Sequence, residues 1–177
     1  MKTTAIILSG GRGLRFGTDV PKQYVNICGK PVLYHTLRAF EASNADDIVI
    51  VARDEYIGIC GNIAADCKAL KVSAIISGGD ERYYSVLNGL NHIEESGARE
   101  QVVLIHDGAR PLITPDTINR IIDDTLKYGA VIAAAPSTDT IKIVDDRGCI
   151  IETTDRQRTW AAQTPQKIGR ASCRERV

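Results

Sequence analysis

The chain has 177 residues, of which 44% are hydrophobic and 25% are charged. This length fits one compact domain, and the composition is too apolar for an intrinsically disordered protein. Lysine plus arginine and aspartate plus glutamate each count 22, so no overall positive charge favours nucleic acid or an anionic membrane as a partner, and any phosphate site must be local.

The N-terminus, the cysteines and the histidines exclude further classes of protein. The apolar run before Gly10 is too short for a signal-peptide core or a membrane span, so we expect a cytoplasmic protein. The five cysteines are scattered without a C-x-x-C pair, and the three histidines lack the spacing of zinc ligands. We therefore expect reduced thiols and no structural metal site.

In chain order, short apolar runs alternate with segments of helical period. The runs predict strands at residues 5–8, 48–52, 72–76, 102–105 and 130–135, of which 5–8 and 102–105 are predicted to be buried. Helices are predicted from Pro31 to Phe40, around residues 86–93, and from Pro115 to Gly129 with Thr114 as N-cap; a less clear helix lies between the second and third strands. This alternation predicts a Rossmann-like α/β fold, a mostly parallel sheet with helices on both faces and ligands at the carboxyl ends of its strands.

The segment from Thr138 to Trp160 interrupts this alternation. Two β-rich runs, residues 141–144 and 149–153, flank the turn sequence DDRG at residues 145–148. Two strands around such a turn are typical of a hairpin. We predict a β-arm, at about residues 138–160, that projects from the sheet.

A glycine-rich segment follows the first predicted strand. Residues 8–17 read LSGGRGLRFG, and residues 21–24 read PKQY. Glycines let backbone N–H groups approach a phosphate, and nearby cations neutralise its charge. Phe16 stands where a dinucleotide fingerprint needs a small residue, and Gly17-Thr18 does not supply the Gly-Lys-Ser/Thr of a P-loop. The pattern indicates a phosphate loop of another kind, or simply a glycine-rich turn.

The loop and the Pro-Lys-Gln sequence after it resemble the signature of the sugar-phosphate nucleotidyltransferases. Further segments resemble the methylerythritol phosphate cytidylyltransferases, in order from residue 4 to residue 166: GGDER (78–82) with Ser85, HDGARP (106–111), DTIK (139–142), TDR (154–156), Trp160 and QTPQ (163–166). The resemblance implies the nucleotidyltransferase fold and transfer of CMP from CTP to 2-C-methyl-D-erythritol 4-phosphate, with release of pyrophosphate, in isoprenoid precursor biosynthesis. It also implies a homodimer in which the arm crosses to the second subunit.

The resemblance assigns the nucleotide to two segments. Gly10, Gly11 and Gly13 would lie against the triphosphate, while Arg15 and Lys22 would be the catalytic cations that stabilise the charge on the α-phosphate. Arg15 could instead be a surface arginine. Gly79, Asp80 and Ser85 would bind the cytosine and ribose, although residues 78–80 could be only a turn with an N-cap.

The remaining implied contacts concern the ribose, a metal and the second substrate. Asp107 and Gly108 would meet the nucleotide, and Asp107 would also bind a divalent metal, Mg²⁺, with the triphosphate. Arg110, Thr140 and Arg156 would contact methylerythritol phosphate, whose phosphate dianion suits the fork of an arginine. For Arg156 the alternative is a salt bridge within the arm, to Asp155 or Glu152.

The end of the chain departs from the family pattern. After Gln166 the family has an aromatic residue and many more residues, including a lysine that contacts phosphate. Here Lys167 leads into IGRASCRERV, which resembles translated read-through of a sequencing adapter and shows no helix or strand periodicity. We therefore expect a nucleotidyltransferase domain at residues 1–166 that is incomplete at its C-terminus, a foreign tail at 167–177, and poor turnover. Ribitol-5-phosphate cytidylyltransferase and a non-catalytic nucleotide-binding fragment remain alternatives.

Overall fold

A computed structural model describes residues 2–11, 20–97 and 101–169 of the chain. The strands, in chain order, are β1 (Lys2–Leu8), β2 (Asn26–Ile27), β3 (Lys30–Pro31), β4 (Asp47–Ala52), β5 (Val72–Ser77), β6 (Gln101–Asp107), β7 (Ala130–Pro136), β8 (Lys142–Val144), β9 (Ile150–Thr153) and β10 (Trp160–Gly169). The α-helices are α1 (Val32–Glu41), α2 (Ile57–Asp66), α3 (Arg82–Glu95) and α4 (Pro115–Tyr128).

A six-stranded sheet forms the centre of the molecule, in the order β5-β4-β1-β6-β10-β7. Strands β5, β4, β1 and β6 pair in parallel, whereas β10 is antiparallel to both β6 and β7. Five of the six strands therefore share one direction. The predicted fold class is confirmed, and all five predicted strands are present.

Helices cover both faces of this sheet, because alternate residues of each buried strand point to opposite sides. On one face, Ile7 and Ile50 lie in a cluster with residues of α1, α2 and α4. On the other, Ile6 and Val51 lie in a cluster with Ile93 of α3. The residues of β4 from Ile48 to Ala52 are each at most 1% exposed, as a continuous apolar run predicts.

The ends of α4 follow the predicted signals. Thr114 is the N-cap, and its hydroxyl accepts a hydrogen bond from the Thr117 N–H at 3.3 Å. Pro115 begins the helix, and Gly129 ends it with φ of 84°, a conformation that glycine adopts at no steric cost. Helix α1 begins one residue later than predicted, with Pro31 at its N-cap position.

The predicted arm is a separate two-stranded sheet of β8 and β9. Its apolar side chains are between 41% and 67% exposed: Ile141, Ile143, Val144, Ile150 and Ile151. Strand β7, which joins the arm to α4, forms one edge of the main sheet. An exposed apolar surface of this kind often marks a contact site for a protein, a membrane or a ligand.

Strand β10 corrects the description of the C-terminal residues. The sequence analysis found no strand pattern after Gln166, yet β10 continues through Gly169 and pairs with β6 to that residue. Lys167 is fully buried, and its ammonium donates to the Ile122 carbonyl at 3.1 Å. Regular structure therefore passes the predicted boundary at 166, while residues 170–177 lie outside the described ranges.

No helix within the described ranges is both long enough and apolar enough to cross a membrane.

Candidate active site

A cleft of about 830 Å³ lies at the carboxyl ends of β1, β4, β5 and β6. Its volume lies in the range of small-ligand sites, and its position is the one expected for a ligand of an open α/β sheet. Most lining residues end these strands or lie in the loops after them, and the others lie in α3 or in the short helix after the glycine segment: Leu8, Gly10, Gly11, Lys22, Gln23, Arg53, Asp54, Glu55, Gly78, Gly79, Asp80, Glu81, Arg82, Ser85, Asp107, Ala109 and Arg110.

The predicted phosphate loop lies partly within the described residues. Gly10, Gly11 and Lys22 line the cleft. The hydrogen bonds that hold this end of β1 come from Gln23 and Tyr24, which follow Lys22 in the chain. Gly13 and Arg15 lie outside the described residues.

The turn after β5 is held by Ser85. Its hydroxyl accepts a hydrogen bond from the Gly79 N–H at 3.1 Å, and its side chain is buried. A Cβ on Gly79 would lie 2.2 Å from the Cβ of Tyr84, so no larger residue fits there without moving α3. The N-cap of α3 is Glu81, without a side-chain capping bond. Asp80 is therefore not a cap, and it lines the cleft.

Asp107 lies between two arginines at the end of β6. Arg110 Nε donates to one carboxylate oxygen at 3.0 Å, and Arg82 donates to the other from Nη2 at 3.2 Å and from Nε at 3.3 Å. Burial alone would raise the pKa of Asp107, but the hydrogen bonds and charges of Arg110 and Arg82 outweigh it, and the pKa is lowered. Asp107 is therefore ionised at neutral pH.

His106 and Thr164 support Asp107 from beneath the cleft. The His106 ring is fully buried, and burial lowers its pKa to about 4. Its Nε2 lies 3.3 Å from the Arg110 carbonyl oxygen, and its Nδ1 lies 3.0 Å from the Thr164 hydroxyl. A neutral ring facing a carbonyl carries its proton on Nε2, so Nδ1 accepts from Thr164. The Thr164 oxygen in turn accepts from the Asp107 N–H at 3.3 Å.

Other predicted residues lie apart from the cleft. The Gly108 N–H donates to the Leu8 carbonyl at 2.8 Å, and the Gly108 carbonyl accepts from Thr36 at 3.0 Å, so this backbone joins β6 to β1 and α1. Thr140 and Arg156 are exposed on the arm and its base, and neither lines the cleft. Within the described part of the chain, no ion pair joins Arg156 to Asp155 or Glu152.

The cleft also contains charged residues to which the sequence analysis gave no role. Arg53 and Asp54 directly follow β4, and Arg82 begins α3. Their position in the segments after β4 and β5 could have predicted a place in the site, because ligands bind at the carboxyl ends of such strands. Arg110 also donates to the side-chain oxygen of Gln163, which fixes the guanidinium from the β10 side.

The described residues contain no cluster of three or more histidine, cysteine or acidic side chains that could hold a metal by themselves. Asp107 is nevertheless suited to Mg²⁺, which binds through one or two carboxylates together with substrate phosphates. A metal that also draws on a nucleotide triphosphate needs no larger protein cluster.

Comparison with known proteins gives a consistent family. A family model described as 2-C-methyl-D-erythritol 4-phosphate cytidylyltransferase matches residues 3–175. The protein of that name from Lachnospira eligens is 45% identical over 164 residues, covering 92% of this chain and 70% of the relative. The one from Lachnoclostridium phytofermentans is 44% identical over 175 residues, covering 98% and 73%.

Solved structures agree with the sequence matches. The 4-diphosphocytidyl-2C-methyl-D-erythritol synthase from Anaerococcus prevotii superposes with a TM-score of 0.80 at 30% identity, covering 95% of this chain and 70% of that one. A second synthase structure gives a TM-score of 0.76 at 31% identity, covering 95% and 75%. Fold, cleft and comparisons therefore agree that the chain belongs to the 2-C-methyl-D-erythritol 4-phosphate cytidylyltransferases, a family of nucleotidyltransferase enzymes.

Proposed function

We propose that the protein transfers CMP from CTP to 2-C-methyl-D-erythritol 4-phosphate and releases pyrophosphate, a step of isoprenoid precursor biosynthesis. The observation that carries this proposal is a single cleft, at the strand ends, lined by Lys22, Asp80, Ser85, Asp107 and Arg110. These are the positions that the family resemblance assigns to the two substrates.

In the proposed reaction, a phosphate oxygen of the acceptor attacks the α-phosphorus of CTP, and the bond to pyrophosphate breaks. Such a transfer asks for positioning and charge stabilisation rather than covalent catalysis. Lys22 lines the cleft together with Gly10 and Gly11, and with Arg15 it would be the catalytic pair that stabilises charge on the α-phosphate.

The nucleoside would occupy the side of the cleft formed by the turn after β5. Gly79 and Ser85 hold the shape of this turn through the bond between them, and Asp80 lines the cleft beside them. Polar groups fixed in this way recognise the edge of a cytosine and leave unpaired partners against a purine. Asp107 would meet the ribose at the end of β6.

Magnesium is the proposed cofactor, with CTP as co-substrate. Asp107 would hold the metal, because its carboxylate is ionised and lies at the cleft wall. When bound, the ion neutralises charge on the triphosphate. Arg82 and Arg110 now occupy the carboxylate oxygens, so at least one of them would turn toward a phosphate as the metal arrives.

The acceptor site is proposed to be shared between two copies of the chain. Arg110 lines the cleft, whereas Thr140 and Arg156 lie on the arm and do not line the same chain's cleft. A second copy's arm would bring them there, and the exposed apolar residues of β8 and β9 would be its contact surface.

Light scattering tests the homodimer. The chain should have twice the monomer mass at micromolar concentration, and Ile143→Asp on the arm should shift it toward the monomer. Leu70→Asp, at a residue that is 88% exposed outside the arm, is the matched control and should leave the mass unchanged. A monomeric unmodified chain would contradict the shared site.

The reaction itself is tested by pyrophosphate release from CTP and Mg²⁺. The comparison uses this chain and a chain extended to the length of the relatives, each with methylerythritol phosphate or ribitol 5-phosphate. We expect release only with methylerythritol phosphate, and much faster release from the extended chain. A preference for ribitol 5-phosphate would identify the sister activity, and equal rates in the two chains would show that the extension is dispensable. The cytoplasmic location remains a prediction.

A further inference from the structure

Gln23 is a buried polar residue for which the proposed reaction has no role. It is 2% exposed, although it follows Lys22 directly in a short 3-10 helix at the wall of the cleft. Burying an amide is unfavourable unless its hydrogen-bonding groups are satisfied. The partners of this side chain therefore indicate what it does.

Both partners of the Gln23 amide nitrogen are backbone carbonyls at the end of β1. Nε2 donates to the Ser9 oxygen at 2.8 Å and to the Gly11 oxygen at 2.9 Å. A carboxamide nitrogen has two hydrogens, so both are used. The side chain therefore ties together two carbonyls, those of Ser9 and Gly11, within the glycine segment.

The Ser9 carbonyl has a second donor in Tyr24. The Tyr24 hydroxyl donates to it at 3.0 Å and lies 3.1 Å from the Ser9 hydroxyl. The Tyr24 ring is fixed in turn by stacking on Tyr56, with ring centroids 4.7 Å apart. The Ser9 N–H donates to the Val51 carbonyl at 2.7 Å. Ser9 is therefore held at its N–H by Val51 and at its C=O by Gln23 and Tyr24.

This fixation determines where the next backbone donor points. In a trans peptide the C=O and the following N–H point in opposite directions. Because the Ser9 C=O points to Gln23 and Tyr24, the Gly10 N–H points away from them. The Gly10 N–H belongs to the same peptide as the Ser9 C=O, and Gly10 lines the cleft, so this donor is fixed before a ligand arrives, the condition under which a backbone N–H binds phosphate most effectively.

We propose that Gln23 is a positioning residue for the nucleotide phosphates, acting through the carbonyls of Ser9 and Gly11. It does not touch the substrate through its amide nitrogen, whose hydrogens are both used. The same short helix places Lys22 at the cleft, so one segment positions both this cation and the Gly10 N–H. This inference rests on the proposed function for the identity of the nucleotide.

The test compares CTP with CMP, because a residue that positions the triphosphate loop should matter more for the longer phosphate chain. Gln23→Met keeps the length of the side chain and removes both donors. By calorimetry on this chain with Mg²⁺, the variant should bind CTP about tenfold more weakly, the effect of losing buried hydrogen bonds, and CMP less than about twofold more weakly.

Thr125→Val is the matched control. Thr125 is 4% exposed, and its hydroxyl donates to the Ile121 carbonyl at 2.8 Å within α4, outside the cleft. Removing this hydroxyl also deletes a buried hydrogen bond. The unfolding midpoint of Thr125→Val should therefore fall, as that of Gln23→Met should. Its CTP affinity should stay within about twofold of the unmodified chain.

A second variant keeps the test decisive if Gln23→Met does not fold. Tyr24→Phe retains the stacked ring and removes the hydroxyl, which is the second donor to the Ser9 carbonyl and also contacts the Ser9 hydroxyl and the Cys60 sulfur. Tyr24→Phe should lower the affinity for CTP by a smaller factor, about threefold, and should change the affinity for CMP little. Equal losses for CTP and CMP, or a CTP loss no larger than that of Thr125→Val, would overturn the inference.

The outcomes also separate this inference from the proposed function. If the unmodified chain prefers ATP to CTP, the proposed function is wrong, and the same comparison with ATP and AMP still decides the role of Gln23. If the chain prefers CTP but Gln23→Met binds it normally, the proposed function stands and the inference fails. A chain that binds no nucleoside triphosphate would overturn both.

Discussion

The two halves of the central sheet, β5-β4-β1-β6 and β10-β7, differ in how exposed their strands are to solvent. We call the first half the covered side. In β4, an interior strand, Ile48 to Ala52 are at most 1% exposed, whereas in the edge strand β7 Ile132 is 56% exposed. The cleft belongs to the covered side, at the ends of β1, β4, β5 and β6. The arm, with its exposed isoleucines, continues from the β7 side.

This difference separates a region whose described candidate residues lie together from one whose candidate residues lie apart. The nucleotide side has a packed core, a shaped turn at Gly79 and an ionised Asp107 within one chain. The acceptor side has its remaining candidate residues, Thr140 and Arg156, away from the cleft. We infer that nucleotide binding is a property of the single chain and that acceptor binding requires additional surface.

The largest expected effect sharpens the comparison on the covered side. Lys22→Ala in the extended chain should lower kcat by about two to three orders of magnitude, the usual loss when one preorganised charge donor is removed. We expect the same for Arg15→Ala. Lys127→Ala, at an exposed lysine near the end of α4, is the control for loss of one positive charge. Near-normal turnover in the Lys22 variant would show that this lysine is not a catalytic residue.

The second effect concerns Lys167, in the β10-β7 half of the sheet. Lys167→Met should raise the free energy of unfolding at pH 7 by about 2–3 kcal/mol, because it removes a buried amine and retains the volume of the side chain. Chemical denaturation measures this change. Lys127→Met, at an exposed position, should change stability by less than about 0.5 kcal/mol. A destabilised Lys167 variant would mean that the bond to Ile122 outweighs the burial.

The same lysine predicts a pH dependence. Burial lowers the pKa of Lys167 from its ordinary 10.5 to about 8. Between these values the unfolded chain binds more protons than the folded chain, so stability should rise with pH from about 8 to about 10.5. Below pH 8 both states are protonated, and the contribution is constant. The Lys167→Met variant should lack this rise, and an identical profile in both proteins would contradict the assigned cause.

The smallest predicted effect is local. Thr114→Ala removes the N-cap of α4 and should cost about 1 kcal/mol of stability, while Thr114→Ser should retain most of it. Because α4 packs behind β10 and β7, the loss should leave CTP affinity unchanged. Thermal unfolding and a CTP titration of the same samples check both expectations. A large change in affinity would show that the two sides are not independent.

The sequence predicted the covered side well because its signals are local. Continuous apolar runs identified β1, β4, β5 and β6, and Thr114, Pro115 and Gly129 identified both ends of α4. The strand ends then predicted the position of the cleft. Arg53 could have been found by the same rule, since it directly follows the buried strand β4, and Arg82 begins the helix after β5.

Strand β10 was not predicted, and the reason is physical. Its residues include Pro165, Gln166 and Lys167 and show no alternation of apolar and polar residues. The strand exists because β6 and β7 flank it and supply backbone partners on both sides. Tertiary pairing of this kind overrides local propensity. The contacts of Gln23 were also beyond the sequence, because they depend on the path of the chain after β1.

The central claim is that the covered side of this chain is by itself a site for CTP. Calorimetric titration of this chain with CTP, UTP and ATP, each with Mg²⁺, tests it most directly. We predict that CTP binds and that UTP and ATP bind much more weakly, because the turn held by Gly79 and Ser85 and the side chain of Asp80 suit a cytosine. Equal affinity for CTP and ATP would contradict the claim.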